Sequence, residues 1–322
     1  MNENIIEQEL NEVDNNTPEA DKPVTDTIVT MKERDMNKMT RKQAITKIVT
    51  TTFVYLFLGF IALLVLFPFY WMIISSLKDV EEYRRSVPTF FPENPGEGLN
   101  NYLEAFGGAN LGTLFLNTVF VGLVSTILSL VITVLSAFAF ARLEFKGKNV
   151  LFAMLLATMM IPGELFTITN YQTVARLQWQ SSFTVLIIPF LVSVFYIYLL
   201  RQNFLQIPNE LYLAAKIDGT SDIKYLWKVM IPLSLPTLIS ITILKMMGSW
   251  NSYMWPRLVA NDDLHKLVTN GLRSAFTVAE TGETNYPVQM AAVAIVSAPL
   301  FLVFIFLRKY IMKGVSKSGI KG

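Results

Sequence analysis

Apolar residues in this 322-residue chain come in long unbroken runs, not in the stripes of a water-soluble helix. Six runs stand out, at about 48–74, 113–141, 149–172, 181–200, 231–254 and 288–307. Crossing a bilayer's hydrocarbon core takes ~20 apolar residues, because each helical residue advances about 1.5 Å across about 30 Å. The pattern predicts an all-α polytopic membrane protein with six transmembrane helices. The first run has no charge between Lys47 and Lys78, and the second lies between Glu104 and Arg142. Glu164 interrupts the third, the fourth ends at Arg201, the fifth contains Lys245, and the sixth ends at Arg308-Lys309.

The connections differ in character. Loop 78–112 carries Pro88, Pro92 and Pro95 beside Phe90-Phe91, which predicts an irregular stretch and then a short helix near Leu99–Phe106. Loop 256–286 runs about thirty residues with Gly271 and Gly282, a length usually tied to function or disorder. The first 31 residues hold eight acidic residues and one basic one, with no apolar core, so a cleavable signal peptide is not expected there. They read as a disordered tail. Residues 32–47 reverse the sign with six Lys or Arg. The domain reading is a cytoplasmic tail over 1–47, a six-helix transmembrane domain over 48–307, and a cytoplasmic tail over 308–322.

Composition agrees with the runs. Hydrophobic residues make up 52% and charged residues 16%, where a soluble domain carries charge at about a quarter of its positions. Net charge is +2 and predicts no nucleic-acid partner; placement is more informative. The flank 32–47, the loops 142–149 and 201–232 and the tail 308–322 hold eighteen Lys and Arg, against seven in the longer opposite loops. The richer side is expected in the cytoplasm, with both termini inside. There is no cysteine, which excludes disulfides, thiol catalysis and thiolate metal sites, and the one histidine, His265, reads as an ordinary loop residue.

The polar segment 207–236 sits on the cytoplasmic side between runs four and five. Pro208 suits a helix start, Glu210 favours the first turn, and Leu211, Ala214, Ala215 and Asp218 follow at helical spacing. Gly219 suits a left-handed helix end. Residues 220–222 suit the cap of a second helix, with Ile223, Leu226, Trp227 and Met230 as its apolar stripe. Pro232 and Pro236 mark the return into the bilayer. The predicted shape is two short helices at a sharp angle on the membrane surface, either an interfacial connector or a rigid lever for a partner.

Pro208, Glu210, Ala214, Ala215, Asp218, Gly219, Pro232 and Pro236 fall in register with the coupling loop of ATP-binding-cassette (ABC) importer permeases. Segments 159–162 (MMIP), 249–256 (SWNSYMWP) and 314–322 (GVSKSGIKG) follow in the same order as in the maltose-type carbohydrate permeases, which the chain resembles over roughly 45–322. The resemblance implies a non-catalytic subunit of a sugar importer in the bacterial cell membrane. It implies a second, different permease, two ATPase subunits that bind ATP and Mg, and an extracytoplasmic sugar-binding protein reaching loops 78–112 and 256–286. It also implies that Glu210, Leu213, Ala214, Ala215, Asp218 and Gly219 couple to the ATPase. One departure stands out: Leu213 occupies the place of the family's glutamate, which commonly makes an ionic contact there. Either apolar contacts replace it, or Glu210 takes part.

Candidate substrate-path residues are Glu164, Lys245, Ser249, Trp250 and Asn251. A lysine at a span's centre costs ~2.5–3.5 kcal/mol on insertion scales, so Lys245 must face protein or water. Ser249 and Ser252 continue its helical face. Lys245 reads either as a substrate contact or as a structural ion pair, with Glu164 or with the partner permease. Trp250, Tyr253 and Trp255 read as sugar-stacking rings or as an interfacial belt, with the belt favoured for Trp255. The only approach to a phosphate-binding loop, Gly314 to Gly319, is followed by Ile320 instead of lysine, so ATP hydrolysis is expected from another chain and no cofactor in this one. The competing readings are an ABC permease for a non-sugar solute, an ion-coupled secondary transporter using Lys245 and Glu164, and a scaffold that moves nothing.

Overall fold

The computed structural model describes residues 41–108, 110–275 and 284–316. The predicted acidic tail, most of the basic flank and the last six residues lie outside the described residues. So do residues 276–283 of the long loop.

Among the described residues every regular element is a helix, as the apolar runs predict. Three helices are long and apolar enough to cross a membrane: α1 (Arg41–Ser76), α3 (Leu111–Arg142) and, at the C-terminal end, α13 (Tyr286–Ser316). Helix α2 (Pro95–Gly108) precedes α3, longer than the short helix predicted there. Three bent pairs complete a six-span count. The first is α4 (Lys148–Thr158) with a 3₁₀ turn, Gly163–Phe166, and α5 (Thr167–Arg176), bent by 83°. Next come α6 (Phe183–Ile187) with a turn at Ile188–Phe190, and α7 (Val194–Leu205), bent by 45°. After α8 (Asn209–Ile217), the segment Asp222–Leu233, which opens with α9 (Asp222–Tyr225), meets α10 (Leu235–Trp250) at 81°.

Proline explains each break. It removes a backbone donor and disfavours helical backbone at the preceding residue. Pro162 stands between α4 and the 3₁₀ turn, Pro189 lies in the turn before α7, and Pro232 and Pro236 flank the 81° bend at Ser234. Runs three and four are therefore not the straight helices their hydropathy predicts. Run five is helical from Ile231, turns at Ser234 and resumes as α10 at Leu235, and the loop after it is not structureless: α11 (Met254–Val259) and α12 (Val268–Ala275) occupy it.

Contacts divide the chain into two compact units, one ending at Phe69 and one starting at Tyr70. In the first, every side chain from Ile45 to Phe69 is exposed. An apolar surface of that extent suits lipid or a partner protein, not water.

In the second unit α3 is central and packs against α7 and α10. Its buried face is a row of small residues, among them Gly122, Ser125, Ser129, Ala137 and Ala141. Small residues let helices approach in a membrane, where hydrophobicity alone does not drive them together. At Gly122 the approach is close: a Cβ there would lie 2.8 Å from the Met246 sulfur on α10. Gly98 of α2 is tighter still, with the Leu77 carbonyl oxygen 2.0 Å from the Cβ position. The loop after α11 is pinned to α3. Asn117 Nδ2 donates to the carbonyls of Leu264 (2.8 Å) and Lys266 (3.0 Å), and Thr118 Oγ1 accepts from the Val268 amide at 2.9 Å.

Candidate functional site

Two regions gather the chemistry-bearing residues: the segment 207–230 and a cavity beside α10.

Helix α8 ends in a Schellman motif. Gly219 has φ +69°, its amide donates to Lys216 O at 3.0 Å, and the Thr220 amide reaches back to Ala215 O at 2.8 Å. Only glycine adopts that backbone without strain, which is why the pair Asp218-Gly219 closes the helix. Ser221 then caps α9 by accepting from the Lys224 amide. Across this turn, the Tyr212 hydroxyl donates to Asp222 Oδ1 at 2.8 Å and Lys216 Nζ reaches the same oxygen at 2.6 Å. The Tyr212 and Tyr225 rings pack at 5.2 Å. These bonds, Lys216 first and then Tyr212, hold the Asp222 carboxyl below its usual range. The bond to Asp222 in turn raises Lys216. Burial chiefly, then Asp222, pushes the Tyr212 hydroxyl up.

Arg142, at the C-terminus of α3, anchors the segment's start. It is 7% exposed, and Nη2 donates to the carbonyls of Phe204 (2.9 Å) and Ile207 (2.5 Å), while Nη1 reaches Asn209 Oδ1 at 3.3 Å. These bonds tie the end of α7 and the chain just beyond it to α3. The segment's inner face, Tyr225, Leu226 and Met230, is buried in one cluster with Ala137, Leu200 and Phe204.

Of the predicted coupling residues, Glu210, Leu213, Ala214, Asp218 and Gly219 are exposed, and Ala215 packs partly against that cluster. The expected single apolar stripe is split. Leu226 and Met230 point inward, while Ile223 and Trp227 are 58% and 64% exposed. A π-helical turn at Leu226–Met230 changes the periodicity on which the stripe was read. The outer surface thus carries Leu213, Ile217, Ile223 and Trp227.

The cavity encloses ≈ 330 Å³ and is lined by Lys245, Ser249 and Ser252 of α10 and its end, Ser125 of α3, and Ser193 and Tyr196 at the start of α7. Lys245 Nζ donates to the Phe190 carbonyl at 2.5 Å. Phe190 and Trp255 meet edge to face at 5.8 Å and form its apolar wall. Trp255 does not serve as an interfacial belt: it is 7% exposed, and its Nε1 donates to the Val185 carbonyl at 3.0 Å. A buried indole needs such a partner.

The other sequence candidates lie elsewhere. Trp250 is in a separate core cluster against Phe115, and Asn251 binds back to the Met247 carbonyl; both line a different cavity, of ≈ 390 Å³. Glu164 is exposed in the 3₁₀ turn and forms no ion pair with Lys245. His265 Nδ1 lies 2.7 Å from Asp262 Oδ2. Sequence reasoning missed Ser125, Ser193, Tyr196, Arg142 and the Tyr212–Asp222 bond. Ser125 had a signal, its place in the small-residue row of α3. The Tyr212–Asp222 bond had none, because it depends on how the Gly219 turn folds back.

Three long apolar helices and three bent helix pairs, up to six spans among the described residues, mark a polytopic membrane protein. Residues 129–317 match the family described as binding-protein-dependent transport system inner membrane component, and the chain belongs to it. It is 31% identical over 265 residues to the arabinooligosaccharides transport system permease protein of Halalkalibacterium halodurans, covering 82% of this chain and 94% of that one. It is 29% identical to the sn-glycerol-3-phosphate transport system permease protein of Pectobacterium atrosepticum, covering 82% and 95%. Among solved structures, a bacterial ABC transporter involved in import of the acidic polysaccharide alginate has a chain with the same fold. The TM-score is 0.73 at 24% identity, over 85% of this chain and 99% of that one.

Proposed function

We propose that this chain is one of two different permease subunits of an ABC importer for a di- or oligosaccharide. It sits in the cytoplasmic membrane with both termini inside. Its similarity over most of its length to an arabinooligosaccharide permease carries this reading. In it, two separate ATPase subunits bind ATP and Mg and dock at 207–230, and a binding protein delivers sugar to the outer loops. Glu210, Leu213, Ala214, Ala215, Asp218 and Gly219 form the docking segment. Its compact helix-turn-helix, clamped by Asp222 and rooted by Arg142, supports a rigid-lever role. Beside the exposed Glu210 and Asp218 the outward face carries Leu213 and Ile217, so docking without the usual glutamate rests chiefly on these two apolar side chains.

Reconstitution tests this. The chain is purified with its co-purifying subunits, placed in liposomes with the binding protein, and assayed for ATP hydrolysis against a sugar panel. Sugar-stimulated hydrolysis that disappears in an Ala214→Glu, Ala215→Glu variant is expected. Uptake that persists without ATP and follows an ion gradient overturns the reading.

A further inference from the structure

We propose that the substrate passing Lys245 is anionic: a saccharide carrying a carboxylate or phosphate on a hydroxylated ring. This rests on the sugar-import reading and narrows it to acidic sugars.

The argument starts from a charge without a counter-charge. Lys245 lies within a span, where an ammonium is costly unless something compensates it. What it meets is the carbonyl of Phe190, at the 45° break before α7, where a carbonyl falls outside the helical ladder. A neutral carbonyl takes one of the ammonium's three protons and none of its charge. Among the described residues Lys245 has no ion pair, and the cavity lining contains no Asp or Glu. The fold instead directs the amine into a chamber lined by hydroxyls. Ser125, Ser193, Ser249, Ser252 and Tyr196 come from three elements and offer both donors and acceptors, as sugar hydroxyls require. The Phe190–Trp255 wall supplies an apolar surface for a ring face. At ≈ 330 Å³ the chamber is at the small end of ligand pockets, about 300–1,000 Å³, so it suits one charged end of a ligand. One unneutralised cation, several hydroxyls and an aromatic wall are the chemistry of an acidic sugar.

The test uses the intact importer in liposomes with its binding protein. The probes are a digalacturonate, a hexose 6-phosphate and a neutral disaccharide. Stimulation of ATP hydrolysis by the digalacturonate or the hexose phosphate is expected, and which of the two works identifies the anion. Lys245→Met is expected to lower uptake of that probe at least about tenfold, the loss of a charge-assisted hydrogen bond, while Lys245→Arg retains most of it. Stimulation by the neutral disaccharide alone overturns the proposal, and so does full uptake by Lys245→Met. If Lys245→Met no longer co-purifies with the second permease, the lysine's counter-charge is a subunit contact and the proposal is wrong. If no saccharide of either kind stimulates hydrolysis, the sugar-import reading itself has failed.

Discussion

Tyr212 and Asp222 are joined by a 2.8 Å hydrogen bond that closes the turn at Gly219. With Lys216 on the same carboxylate oxygen, it turns two short helices into one body. Asp222→Ala should remove this clamp at little cost in global stability, since exposed ion pairs contribute ~0–1 kcal/mol. The expected phenotype is ATP hydrolysis with reduced transport per ATP, measured in proteoliposomes. Unchanged stoichiometry would show that the segment needs no internal clamp.

The same clamp has a defined pH window. Asp222 is held below 3.8, so its contribution is complete above that value and is lost as pH falls through the lowered folded value. Lys216 is held above 10.5, so its contribution is complete below that value and is lost as pH rises through the raised one. Amide exchange in 209–225, corrected for intrinsic rates, should therefore be flat from about pH 5 to 9.

Arg142 roots the segment, and its loss removes the side-chain donor to the Ile207 carbonyl and one of the donors to the Phe204 carbonyl. Arg142→Met should lower stability by about 2–4 kcal/mol, seen as a fall in melting temperature in detergent. Lysine lacks the planar fork and should rescue poorly.

Two glycines should respond differently. At Gly98 a Cβ meets the Leu77 backbone, which has nowhere to go, so Gly98→Ala should abolish a monodisperse preparation. At Gly122 the obstacle is the end of the Met246 side chain, which can rotate away, so Gly122→Ala should remain folded with a small loss of stability.

Leu213 and Ile217 are 53% and 87% exposed, so Asp at either position should leave melting unchanged. Each change should weaken ATPase co-purification. Intact co-purification with both replaced removes the apolar docking surface from the account.

Much of this was legible beforehand. The helix stop at Gly219 followed from glycine's tolerance of positive φ, and the short helix before α3 from the end of the proline-rich stretch. Pro232 and Pro236 marked the bend before α10, but the 45° bend before α7 was not legible, since hydropathy measures apolar length and is blind to direction. Nor was the division of α10, which sends Lys245 and Ser249 to one cavity and Trp250 to another. The sequence had grouped all three on one path.

The sequence by itself determined the class of protein, because bilayer thickness forces long apolar runs and a turn as tight as Asp218-Gly219 admits few residues. Tertiary structure alone decided what faces what. Lys245 meets a carbonyl 55 positions away, and Arg142 meets two carbonyls more than 60 positions on. Such pairings depend on where proline breaks the spans and how closely small residues let helices approach, and neither is written in local periodicity.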